Sequence, residues 1–124
     1  MLVLLAIAKY NIKPDASLNV FDQIQRAQCD RQPVVIFFYS QDCVPCEQMA
    51  EVLRQTEELY TTKLAFIKVD ATAPSNQPLV WGYRVSVTPT IVLLDAKGES
   101  RRIIGVLSPE QFVVQLNDLI SSAP

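Results

Sequence analysis

Residues 33–47 read PVVIFFYSQDCVPCE, and the order of patterns in this stretch limits the fold that the chain can adopt. The run at 34–39 is β-branched and aromatic and apolar on both faces, which is typical of a central strand in a parallel sheet. Cys43 and Cys46 follow where a helical pattern begins. Such a pair is a redox dithiol, half of a metal site or a structural bridge.

The cysteine and histidine counts weaken two of these three interpretations. Three cysteines are too few for a disulfide-rich scaffold, and the absence of histidine excludes Cys–His pairs and His-based metal sites within the chain. A bridge from Cys43 to Cys46 closes a very short loop, so it adds little stability on the chain-entropy view. Structural zinc needs four ligands, of which Cys43 and Cys46 supply two. Cys29 and Asp42 could be imagined as the other two, but the chain has no second cysteine pair and no histidine. We therefore predict no metal and no bound cofactor. The other alternative to a redox dithiol is that Cys43 and Cys46 are an inert buried pair.

The composition favours one globular domain and argues against nucleic acid as a partner. The 124 residues are 49% hydrophobic and 19% charged, and the formal charge is −2 with scattered basic residues. The three glycines lie too far apart to form a phosphate-binding loop. We predict a single domain over residues 1–124, with a core at 17–120 and an N-terminal arm or edge strand at 1–16.

The apolar run at residues 1–8 bears on membranes and on export. It is far shorter than the roughly 20 residues that span a bilayer, and no basic segment precedes it as in a signal peptide. The expectation is therefore a chain with no membrane span and a cytoplasmic location. The alternative is an exported or membrane-tethered domain whose signal or anchor is missing.

Hydrophobic periodicity predicts an alternation of helices and strands. The final helix carries several start signals, with Ser108 as N-cap, Pro109 at the first position and Gln111 completing a capping box. The fold class is α/β, in which a parallel βαβ half and an antiparallel hairpin form one mixed sheet with helices on both faces. The predicted elements are a helix at 17–29, a strand at 33–39, a helix after Cys46, a strand at 64–70, a short helix at 77–83, and strands at 90–95 and 100–107 before the last helix.

The position of Cys43 gives the pair its chemistry. Backbone N–H groups at a helix N-terminus are unpaired and the helix dipole is positive there, so a thiol at that place has a lowered pKa. Cys46 lies one turn later, near enough to resolve a mixed disulfide formed at Cys43. Pro45 fits the first turn, where no N–H is needed. Cys43 is thus the predicted nucleophile and Cys46 the resolving thiol.

From residue 17 to residue 120 the chain resembles the thioredoxin-like superfamily. The resemblance implies a protein thiol–disulfide oxidoreductase that works through a mixed disulfide, exchanges with protein disulfides or dithiols and a redox protein partner, and needs no cofactor beyond the dithiol. It is carried by the strand at 33–39, the C-V-P-C at 43–46, the KVD at 68–70, the YRVSVTPTIVLL at 83–94, and Gly98 and Gly105.

The resemblance also implies the shape of the substrate groove. Pro89 is expected to be a cis-proline, with Thr88 and Pro89 beside the two cysteines. The backbone before the cis-proline pairs with the substrate chain as an added strand in this superfamily. The implied groove residues are Thr88, Pro89, Val44 and Pro45, and the Thr88 hydroxyl either tunes the thiolate or bonds to nearby backbone.

The residues flanking the cysteines depart from the usual thioredoxin pattern. Asp42 stands where a tryptophan is usual, and Glu47 stands where a lysine or arginine is common. We expect these carboxylates to oppose thiolate formation at Cys43, although solvent screens exposed charges. They also form an acidic rim that would steer a basic partner.

A second departure lies inside the domain. Phe37 occupies the position of a common buried aspartate, while Lys68, which often pairs with that aspartate, is present without it. The proton of Cys46 would then go to water, to Glu47 or to the exchange partner. Asp42, Glu47 and Lys68 are accordingly the candidate residues for tuning or proton transfer.

Two other functional interpretations stay open. The alternative function is a protein-binding or assembly module with secondary redox activity, and a glutathione-linked, glutaredoxin-like enzyme is weaker because no Gly-Gly pair follows the proline segment. A looser resemblance to the C-terminal domain of bacterial transmembrane disulfide reductases suggests an exported domain. Outside the site, Cys29 is predicted to be a small buried hydrophobe, and Trp81 and Tyr83 are predicted to be packing residues.

Overall fold

A computed structural model of the chain describes residues 19–121. The predicted arm at 1–16 and the predicted helix start at 17 lie outside the described residues. The elements are α1 (Val20–Cys29), β1 (Val34–Tyr39), α2 (Val44–Glu57), β2 (Ala65–Asp70), a 3-10 turn (Pro74–Asn76), α3 (Gln77–Gly82), β3 (Thr90–Leu94), β4 (Ser100–Ile104) and α4 (Pro109–Ser121).

The four strands form one mixed sheet in the order β2-β1-β3-β4. β1 is parallel to β2 and antiparallel to β3, and β3 is antiparallel to β4. Val34 therefore pairs with Ala65 on one side and with Leu94 on the other. The predicted fold class, a parallel βαβ half joined to an antiparallel hairpin, is confirmed.

Alternate residues of β1 enter two apolar clusters on opposite faces of the sheet, as strand geometry requires. Val35 and Phe37 join the first cluster with buried residues of α2 and α4. Ile36 and Phe38 join the second with buried residues of α1 and α3. Because both faces are covered, β1 must be apolar at successive positions, and this is why its sequence does not alternate.

The end of β4 differs from the predicted boundary for an identifiable reason. The strand predicted at 100–107 ends at Ile104. Gly105 takes a φ of +93°, which glycine adopts without strain, and its N–H donates to the Pro89 carbonyl over 3.1 Å.

The predicted capping box at the start of α4 is confirmed. Ser108 N–H donates to Gln111 Oε1 (3.0 Å), and Gln111 N–H donates to Ser108 Oγ (3.2 Å).

The packing predictions for Cys29 and Trp81 are wrong. Cys29 is exposed as a free thiol, and 80% of Trp81 is exposed. Each lies two positions after a buried residue of its own helix (Ala27 and Leu79), a rotation of about 200° that carries the side chain to the opposite face. Tyr83 does pack, because its ring lies 6.3 Å from that of Phe38, and burial raises the pKa of Tyr83.

The first apolar cluster makes a quantitative prediction about α4. Phe112 is fully buried. Phe112→Ala removes a large side chain and leaves a cavity that the neighbouring residues fill only in part, so we expect it to lower the free energy of unfolding by about 3–5 kcal/mol. Val114→Ala changes a side chain that is 63% exposed on the same helix and serves as the control, with an expected change below about 0.5 kcal/mol. Urea unfolding measures both; equal losses would contradict the assignment of the core.

Candidate active site

The loop between β1 and α2 is tied to the end of the neighbouring strand. Asp42 adopts a left-handed backbone conformation with φ of 54°, which aspartate tolerates better than most residues. The preceding Gln41 hydrogen-bonds to the Asp70 carboxylate, which also accepts from the Thr72 N–H (2.9 Å) and hydroxyl (2.6 Å). These bonds, chiefly those from Thr72, lower the pKa of Asp70. The loop therefore enters α2 along a defined path.

Cys43 is the N-cap of α2. Its Sγ accepts a hydrogen bond from the Cys46 N–H over 3.2 Å, and its carbonyl accepts the first helical bond from Glu47 N–H over 3.1 Å. Pro45 lies in the first turn, where its missing N–H leaves no hydrogen bond unmade. The helix starts at Val44, directly after Cys43 and with Pro45 in its first turn, as predicted, and the sulfur takes the place of the usual oxygen cap.

Cys43 and Cys46 form a disulfide, and the two sulfurs differ in accessibility. The S–S distance is 2.23 Å and the Cα atoms are 5.1 Å apart. Cys46 is only 4% exposed and lies in the first apolar cluster with Phe37 and Met49, whereas Cys43 is partly exposed and the next residue, Val44, is 64% exposed. A reagent arriving from solvent therefore reaches Cys43 first.

The segment before β3 approaches the same sulfur. The Thr88–Pro89 peptide bond is cis, as the resemblance implies. The carbonyl oxygen and the hydroxyl oxygen of Thr88 each lie 3.9 Å from Cys43 Sγ. Pro89 is buried, and the buried hydroxyl of Thr90 donates to the Val87 carbonyl over 2.7 Å, which holds the segment in place. Tertiary structure thus joins two parts of the chain that are 45 residues apart.

Ser40 also belongs to this group, and the sequence reasoning missed it. Its Oγ lies 2.7 Å from the Thr88 hydroxyl oxygen. The pairing of β1 with β3 is the signal that could have identified this contact, because Phe38 lies opposite Thr90 in their antiparallel ladder. Extending that register by two residues on each strand places Ser40 opposite Thr88. An alignment of the two predicted strands by register would have found the contact.

The candidate tuning residues take different places. Phe37 is buried, and its partner across the parallel ladder is Lys68, whose side chain is exposed on the edge strand β2. In the ladder of β1 and β2, the neighbour of Lys68 is therefore the aromatic Phe37, at the position where the resemblance leads one to expect a carboxylate. Asp42 and Glu47 are both exposed, one on each side of the cysteine pair in the chain.

Neither a metal cluster nor a membrane helix is found in the described part of the chain. Within residues 19–121, no three His, Cys, Asp or Glu side chains form a group that could hold a metal ion. The helices in the same range are all too short or too polar to cross a bilayer.

Residues 20–120 match the protein family described as a thioredoxin-like domain, which covers most of the chain. The chain belongs to the thioredoxin-like domain family. The predicted resemblance is thereby confirmed, and the cysteine pair, the cis peptide bond and the mixed sheet stand within this thioredoxin-like domain.

Three similar proteins illustrate the relationship. The chain is 24% identical to the chloroplastic thioredoxin Y of Oryza sativa subsp. japonica, over 86% of this chain and 61% of the rice protein, and so spans less than two thirds of that relative. It is 27% identical to a thioredoxin of Alicyclobacillus acidocaldarius subsp. acidocaldarius, over 85% of this chain and 99% of that one. The structure of a Malassezia sympodialis thioredoxin, 21% identical, shares the fold with a TM-score of 0.69 over 83% of this chain and 88% of its own.

The difference in burial predicts which active-site sulfur of the thioredoxin-like domain reacts first. After reduction, limiting iodoacetamide is expected to alkylate Cys43 at least about tenfold faster than Cys46, because burial in apolar surroundings disfavours the thiolate. Fragmentation mass spectrometry locates the modified sulfur. Cys29 is the internal control, since its exposed thiol should react with or without prior reduction. Earlier alkylation of Cys46 would contradict the proposed accessibility.

Proposed function

We propose that the chain is a protein thiol–disulfide oxidoreductase that exchanges its Cys43–Cys46 pair with the disulfides or dithiols of other proteins. The observation that carries the proposal is the asymmetry of the pair. One sulfur caps a helix and is partly exposed, and the other is buried one turn away at bonding distance. Membership of the thioredoxin-like domain family and similarity to proteins named thioredoxins support the same activity.

The first step forms a mixed disulfide. With the pair reduced, the Cys43 thiolate attacks one sulfur of a partner disulfide, the partner S–S bond breaks, and the second partner sulfur leaves as a thiolate that takes up a proton. The Cys46 N–H and the positive end of α2 stabilise the negative charge on Cys43 before the attack.

The second step releases the partner. Cys46 loses its proton, and its sulfur attacks Cys43 Sγ, so that the Cys43–Cys46 bond forms and the partner sulfur leaves. Two electrons pass in total from the dithiol to the partner disulfide; Cys43 releases a proton to solvent before the attack and Cys46 releases one before resolution, and each partner sulfur takes up one proton as it leaves. The reverse sequence oxidises a partner dithiol, and no bound cofactor or metal takes part because the cysteine pair itself carries the electrons.

The groove for the partner chain is proposed to run between α2 and the segment before β3. The Thr88 backbone beside Cys43 can pair with an extended partner strand, while the exposed Val44 and Pro45 offer apolar contact. Pro89 is buried, so its part is to shape the Thr88 backbone rather than to touch the partner.

Two cysteine substitutions test the exchange mechanism. Cys46→Ser is expected to accumulate covalent mixed disulfides with a disulfide-containing test protein, because the resolving sulfur is gone. Both substitutions are made in the Cys29→Ser background, because the exposed Cys29 thiol could exchange as well; Cys43→Ser should then form none, and Cys29→Ser alone should behave like the unchanged chain at Cys43 and Cys46. Non-reducing electrophoresis after acid quenching measures the adducts.

The same experiment addresses the second candidate, a protein-binding or assembly module with secondary redox activity. That function is favoured by the apolar surroundings of Cys46, where Phe37 provides no carboxylate to accept its proton. If the unchanged chain accumulates as much mixed disulfide as Cys46→Ser, resolution is slow and the module is the better description. If Cys46→Ser forms no adduct, the oxidoreductase proposal fails.

The acidic rim of Asp42 and Glu47 points to basic partners. Both side chains are exposed beside the cysteines, so they can raise the encounter rate with a cationic substrate and lower it with an anionic one. A cytoplasmic location fits the proposal, because the thiols of that compartment keep a dithiol reduced. Neither a lipid bilayer nor a nucleic acid is needed for the proposed reaction.

The charge preference is testable with neutral substitutions. The pair Asp42→Asn and Glu47→Gln is expected to lower the rate with a lysine-rich disulfide peptide, relative to the rate with a neutral peptide, about threefold at low salt, because a change in the Cys43 thiolate affects both rates alike. Glu58→Gln, at the far end of the helix, is the matched control. Stopped-flow fluorescence gives the second-order rate constants. A loss that is equal for the two peptides would argue against steering.

A further inference from the structure

Two hydroxyl groups share one hydrogen bond beside the reactive sulfur. Ser40 Oγ and Thr88 Oγ1 lie 2.7 Å apart, and Thr88 Oγ1 lies 3.9 Å from Cys43 Sγ. We propose that Ser40 is a positioning residue whose hydroxyl donates to Thr88 and thereby directs the single Thr88 proton to the Cys43 thiolate. The inference rests on the proposed exchange function and concerns how that site holds its attacking sulfur.

The argument begins with a count of protons. Each hydroxyl has one proton to donate and can accept two, so only one member of the Ser40–Thr88 pair donates to the other. If Thr88 donates to Ser40, it has no proton left for the sulfur. If Ser40 donates to Thr88, the Thr88 proton is free for Cys43. The direction of the Ser40–Thr88 hydrogen bond thus decides whether Thr88 is a donor to the sulfur.

The redox state of Cys43 selects between the two arrangements. In the disulfide the sulfur is neutral and a weak acceptor, so it does little to favour either direction. A thiolate is charged, and hydrogen bonds to a charged acceptor are roughly twice as strong as neutral ones. Donation from Ser40 to Thr88 and from Thr88 to Cys43 is then favoured, and each bond polarises the next.

The backbone holds this arrangement in place. Ser40 and Thr88 continue the antiparallel register of β1 and β3, and both side chains are partly buried. The thiolate would also accept from the Cys46 N–H, which already lies 3.2 Å from the sulfur. Two donors from different parts of the chain therefore converge on one atom, and Ser40 orients and polarises only one of them, the Thr88 hydroxyl.

Substitutions at Ser40 or Thr88 leave in place the ionisable groups of the elements that adjoin the cysteine loop. Any shift in the Cys43 titration that such variants cause therefore reports the hydroxyl pair. These groups lie on the loop, on α2, on the segment before β3 and at the end of β2: Asp42, Cys46, Glu47, Arg84 and Asp70.

A double-mutant cycle tests the proposal in the full chain carrying Cys29→Ser and Cys46→Ser, so that Cys43 is the one thiol that titrates. Thr88→Val is expected to raise the Cys43 pKa by about one unit and Ser40→Ala by about half a unit. Combined, they should raise it no more than Thr88→Val alone, because Ser40 acts through Thr88. Ultraviolet absorbance of the thiolate measures each pKa.

The redox equilibrium provides a second readout with both active-site cysteines present. The reaction converts the protein disulfide and two glutathione molecules into the protein dithiol and one glutathione disulfide. Removing a donor to the thiolate disfavours the reduced form, so Ser40→Ala should lower this equilibrium constant about threefold where Cys43 is ionised. A purely structural role for Ser40 would alter stability without moving the equilibrium in this direction.

Conservative variants separate the loss of a hydroxyl from a change of shape. Thr88→Ser and Ser40→Thr keep both protons and should retain the pKa, and Ser86→Ala removes an exposed hydroxyl from the same segment and should leave it unchanged. A shift from Ser40→Ala that persists in the Thr88→Val background, or no shift at all, overturns the inference. Absence of mixed disulfides in the exchange experiment would instead reject the proposed function, which these titrations do not measure.

Discussion

The structure depends on a central strand that is paired along both edges and covered on both faces. Residues 34–38 of β1 are at most 3% exposed, and β2 and β3 supply the two ladders that satisfy their backbone groups. A polar residue in this run would be buried away from water and would need a hydrogen-bond partner inside the domain, which favours apolar side chains there. Its carboxyl end is the place where the chain reaches the surface and where the cysteine loop begins.

That constraint explains the chemistry of the site. Parallel pairing with β2 and antiparallel pairing with β3 bring the Gln41 loop, the end of β2 and the Thr88 segment to the same end of the sheet. The first apolar cluster continues from Phe37 to Cys46, so the second sulfur is kept from solvent while the first is left at the helix N-terminus. Unequal access of two linked sulfurs is the property that a sequential exchange reaction needs.

Local sequence determined the elements because their signals are local. The apolar run predicted β1, Ser108 and Gln111 predicted the start of α4, and the turn from strand to helix predicted Cys43 at a helix end. Apart from the end of β4, the predictions that were wrong concern exposure. Residue type predicts that Cys29 and Trp81 pack in the core, but both side chains are exposed. The exposure of a side chain near a helix end depends on which other elements of the fold cover that face of the helix, and a local sequence pattern contains no information about them.

By itself, then, the sequence determined the fold class and the place of the cysteine pair at a helix start, because periodicity, caps and spacing act within a few residues, and its motifs carried the resemblance to the family. Only the tertiary structure decided which hydroxyls surround Cys43. Ser40 and Thr88 are 48 residues apart, and their contact follows from the register of β1 against β3, a pairing that is selected by the packing of both sheet faces together. The same packing leaves Cys46 buried and Lys68 exposed, although their neighbours in the chain predict neither.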